Sequence, residues 1–103
     1  MNHPDPGAAA HEEIGTELGR VVRRWQQLPL DHALSVSPQV RELVQRLADQ
    51  VALADGVPAG PVPDLGPAVL MDQLRVMVFD YRQAGLDPFP LADDLAALRR
   101  VIG

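Results

Sequence analysis

The stretch Ser37-Pro38-Gln39-Val40-Arg41-Glu42-Leu43-Val44-Gln45-Arg46-Leu47-Ala48-Asp49-Gln50-Val51 decides the fold class. Val40, Leu43, Val44, Leu47 and Val51 follow the period of one face of an α-helix rather than the alternation of a strand. Ser37 offers a side-chain acceptor for a helix start and Pro38 suits a first helical position, so the spacing predicts a helix beginning there. Gly56 is placed to end it near Ala54.

Working outward, the same period recurs on both sides. From about Ala9, Ile14, Leu18, Val21, Val22, Trp25 and Leu28 form one stripe, with Arg20, Arg23, Arg24 and Gln27 on the opposite face. Pro29 interrupts that pattern, and Leu28 to Ser35 read as a packed turn or short helix. Downstream, the Pro/Gly-rich segment from Asp55 to Asp64 is a connection within the domain. A third helix starts near Asp64 or Pro67 and runs to about Ala84, with Gly85 as its C-terminal cap. Asp87-Pro88-Phe89-Pro90 then leads into a fourth in which Leu91, Leu95, Leu98 and Ile102 align. The short link makes helices three and four expected antiparallel neighbours. Residues 1–8, with two prolines and a glycine, are expected to form a disordered tail. The predicted fold is therefore all-α: a small bundle of three to four antiparallel helices, a single domain over residues 9–103.

Composition narrows the chemistry. The chain has 103 residues, 47% of them hydrophobic and 22% charged, which is a globular balance. Its basic residues are nine arginines and no lysine, a bias that together with abundant Ala, Pro and Gly reads as a GC-rich bacterial genome. A net charge of −5 argues against nucleic-acid binding, which depends on cations that neutralise phosphates. Without cysteine there is no disulfide, thiol nucleophile or thiolate metal site. No signal-peptide pattern or apolar run of about 20 residues occurs, so a cytoplasmic protein without membrane association is expected.

Site motifs are sparse. His3, His11 and His32 lack the spaced partners of a helical metal site, and no metal or cofactor is expected. Ser35 stands three residues from His32 without the convergent groups of a triad. Glu12-Glu13 and Asp93-Asp94 are read as early-helix carboxylates that favour the helix dipole. Arg20, Arg23 and Arg24 form a basic cluster that Glu13 and Glu17, on the same side, can neutralise. The serines lack the Asp-Ser-Leu context of a phosphopantetheine carrier. The long Pro/Gly loop likewise excludes a helix-turn-helix.

The third helix stands apart because it is apolar on two sides. Leu70, Leu74, Met77, Val78 and Tyr81 define a core face, while Val69, Val76 and Phe79 fall near the other side, with Asp72 and Arg75 beside them at an i, i+3 spacing. Either neighbouring helices cover both faces, or one face meets another chain. The reading adopted is a non-enzymatic interaction module, a homodimer or a subunit binding a protein partner through Val69, Asp72, Arg75, Val76 and Phe79. The competing reading is a ligand-binding or enzymatic bundle with an interhelical pocket near Trp25, Met71, Met77 and Tyr81.

Overall fold

The computed structural model describes residues 5–103, in which the chain forms four α-helices and no strand: α1 (Pro6–Gln27), α2 (Leu30–Asp55), α3 (Pro67–Gln83) and α4 (Pro88–Ile102). Two of them start with the same device. Asp5 and Asp87 each precede a proline, and each carboxylate accepts a hydrogen bond from the backbone N–H two residues on, Gly7 at 3.0 Å and Phe89 at 3.1 Å. Aspartate supplies the acceptor, and proline at the first helical position has no N–H to leave open. Residues 6–8, expected in a tail, are therefore helical with Asp5 as their cap, and residues 1–4 of that expected tail lie outside the described residues. Because α1 and α4 begin this early, Glu12-Glu13 and Asp93-Asp94 fall beyond the first turn, where the dipole argument no longer applies.

The second helix corrects a boundary. It begins at Leu30, so Ser37 is not its cap and Pro38 lies in its interior. Ala33 and Val36 are buried in phase with Val40, Leu43, Val44 and Leu47, and continuing this stripe outweighs the hydrogen bond that Pro38 cannot donate. The buried Ser37 hydroxyl instead donates to the Ala33 carbonyl at 2.7 Å. The far end matches expectation. Gly56 adopts φ 69° and ψ 27°, its N–H donates to Leu53 O, and the Val57 N–H donates to Ala52 O, the paired bonds of a Schellman cap.

The helices pair as α1 with α4 and α2 with α3, and the chain divides into two compact units along that line. The helices expected as antiparallel neighbours, α3 and α4, fall in different units. A short link permits two helices to neighbour one another, but complementary stripes and polar partners decide which helices pack.

In the α1/α4 unit, the buried positions are Ala10, Ile14, Val21, Val22 and Trp25 on α1 and Leu91, Ala92, Leu95, Leu98 and Ile102 on α4. One charged residue joins them. Glu17, expected on the solvated face, has a side chain only 5% exposed, whereas Leu18, expected in the stripe, is half-buried. The α2/α3 unit buries the α2 stripe together with Leu70, Met71, Leu74, Val78 and Tyr81 of α3.

Candidate functional site

The exposed side of α3 holds the residues that its sequence marks for partner binding. Val76 is 53% and Phe79 60% exposed, whereas Leu74 and Val78, on the same helix, are buried. Asp72 and Arg75 are exposed beside them and form an ion pair at 3.7 Å across one turn. Val69 sits half-buried at the margin. Shallow depressions flank this face. One, of about 210 Å³, is lined by Val62, Asp72, Gln73, Val76 and Met77; another, of about 300 Å³, brings Phe79 beside Val51 and Asp55 of α2.

The connection from α2 to α3 is irregular, as its prolines and glycines require, yet it is anchored. The Gln45 amide donates to Gly60 O at 3.1 Å and to Asp49 at 2.8 Å, and its oxygen accepts the Val62 N–H at 2.8 Å. Gln73 donates to Pro63 O at 2.9 Å, and Arg41 pairs with Asp64 at 3.4 Å. These bonds frame a cleft of about 320 Å³ bordered by Pro38, Arg41, Gln45, Val62 and Gln73. Arg41, Gln45 and Gln73 are engaged with the loop itself. Sequence reasoning missed this anchoring, because Gln45 bonds to residues 15 and 17 positions away and Gln73 to one 10 positions away, which no local pattern announces.

In the α1/α4 unit, Arg99 of α4 engages both oxygens of Glu17, Nε with Oε2 and Nη2 with Oε1 at 3.3 Å, while Arg20 reaches Oε1 at 3.3 Å. The Arg99 hydrogen bond is the main cause that holds the Glu17 carboxyl below its ordinary value of 4.5, against the opposing effect of burial. A carboxylate bonded in this way is a brace between helices rather than an available base. It also changes the arginine cluster, because Arg20 turns to Glu17 while Arg23 and Arg24 remain exposed.

The other candidates are dispersed. His32 is exposed, His11 half-buried, and His3 lies outside the described residues. The Ser35 hydroxyl donates to the backbone carbonyl of His32 at 2.7 Å. Among the described residues no group of three or more His, Asp or Glu is arranged to hold a metal ion, and no helix is long and apolar enough to cross a membrane. Of the residues named for an interhelical pocket, Trp25, Met71 and Tyr81 are buried and Met77 is half-buried, at the edge of the shallow depression beside Val76.

No family model, curated protein or solved structure matches this chain.

Proposed function

We propose that the chain is a non-enzymatic protein–protein interaction module that self-associates through the exposed side of α3. The observation that supports this reading is the pair Val76 and Phe79, left more than half exposed on a helix whose opposite side is closed. An exposed aromatic framed by charges is the composition of a small interface, since aromatics and arginine are enriched where proteins meet. Asp72 and Arg75 supply both signs of charge at the same place, so a second copy meets a surface complementary to its own.

The test is solution mass by light scattering over a concentration series, for the wild type and for Phe79→Asp, with circular dichroism as the folding control. A concentration-dependent dimer that the substitution converts into a folded monomer supports the proposal. A wild type that stays monomeric throughout overturns it.

A further inference from the structure

The charge order along α3 specifies how two copies would meet, an inference that rests on the self-association reading above. At roughly 100° per residue, Asp72, Arg75, Phe79 and Arg82 fall within an arc of about 80°, and all four are exposed. Asp72 stands toward the start of that arc and Arg82 toward its end.

We propose that α3 pairs with α3 of a second copy in antiparallel fashion, with the twofold axis at the level of Met77. Asp72 and Arg82 lie five residues on either side of Met77, and Arg75 and Phe79 lie two on either side. One axis therefore satisfies both contacts. It sets each Asp72 opposite the other copy's Arg82, and each Arg75 guanidinium against the other copy's Phe79 ring, where a cation is attracted to the aromatic face. A parallel arrangement in register would set Asp72 against Asp72 and Arg82 against Arg82, which repel. Within one copy Asp72 contacts Arg75 only at 3.7 Å in an exposed pair, so little opposes its turning toward a second chain.

The test is a charge swap on the full chain, read by sedimentation equilibrium. Asp72→Arg alone and Arg82→Asp alone each place like charges opposite one another and should weaken the dimer by about tenfold, whereas the double variant restores the attraction. Mixing the two single variants should yield a heterodimer tighter than either homodimer, because both of its cross pairs are then opposite in sign. Circular dichroism confirms folding of each variant. If the wild type dimerises and Phe79→Asp abolishes the dimer, yet neither the double variant nor the mixture recovers affinity, the register is wrong while α3 remains the interface. If the wild type is monomeric, self-association itself fails.

Discussion

Glu17 and Arg99 stand 82 residues apart in the chain, yet the guanidinium of one grips both carboxylate oxygens of the other and ties α1 to α4. Such an interaction within a stripe of leucines and valines orients as well as attracts, because only one sliding position of the two helices brings the groups together. The pairing of α1 with α4 thereby acquires a register that apolar contacts alone leave looser.

This brace has a pH dependence of known sign. The folded-state pKa of Glu17 is lowered, so the contribution is complete above the ordinary carboxylate value of 4.5 and is lost as pH falls through the lower folded value. Glu17→Gln should lower the melting midpoint at pH 7, and the gap between variant and wild type should narrow steadily as the pH falls below 4.5. A gap that stays constant with pH would show that the ionised carboxylate is not the stabilising species.

On α3, two neighbouring substitutions should diverge. Leu74 is fully buried, and Leu74→Ala should cost about 2–5 kcal/mol in urea unfolding. Val76→Ala, two residues on and more than half exposed, should change the stability of the monomer by no more than about 0.5 kcal/mol. Equal costs would mean that the side of α3 assigned to a second chain is part of the internal core.

Pro38 interrupts the hydrogen-bond ladder of α2 at the Leu34 carbonyl. Pro38→Ala should supply the missing N–H and stabilise the protein by about 1–3 kcal/mol, measured by chemical denaturation. A loss of stability instead would show that α2 must bend at this point to accommodate the anchored loop.

The loop anchor separates into donor and acceptor parts. Gln45→Glu keeps an acceptor for the Val62 N–H but loses the donor to Gly60 O, whereas Gln45→Leu loses both. Amide exchange at Val62 should accelerate about two- to tenfold in the leucine variant, the effect of a bond worth roughly 0.5–1.5 kcal/mol, and remain slower in the glutamate variant. Equal rates in the two variants would remove Gln45 from the role of anchor.

These particulars show how far the fold was legible. Val40, Leu43, Val44 and Leu47, and likewise Leu91, Leu95, Leu98 and Ile102, announce buried faces because the helical period is a local property of the chain. Gly56 announces a helix end because its left-handed conformation excludes most other residues. Ser37-Pro38 misleads because a local start signal competes with a stripe that continues across it, and the stripe prevails. Glu17 is illegible for a different reason. Whether a carboxylate faces water depends on Arg99, which nothing near residue 17 reveals. The exposed α3 residues Asp72, Arg75, Val76 and Phe79 are readable because a second apolar side on a helix is itself local, while the half-burial of Val69 depends on the fold around it.

The order in which the helices pair also bears on how the protein is made. During synthesis α3 follows α2 and can close on it at once, whereas Val21 of α1 emerges 70 positions before Leu91 of α4. At about 5–20 residues per second, the apolar stripe of α1 waits roughly 4–14 s for its partner helix. Throughout that interval the nascent chain presents Ile14, Val21, Val22 and Trp25 without the helix that covers them in the folded unit.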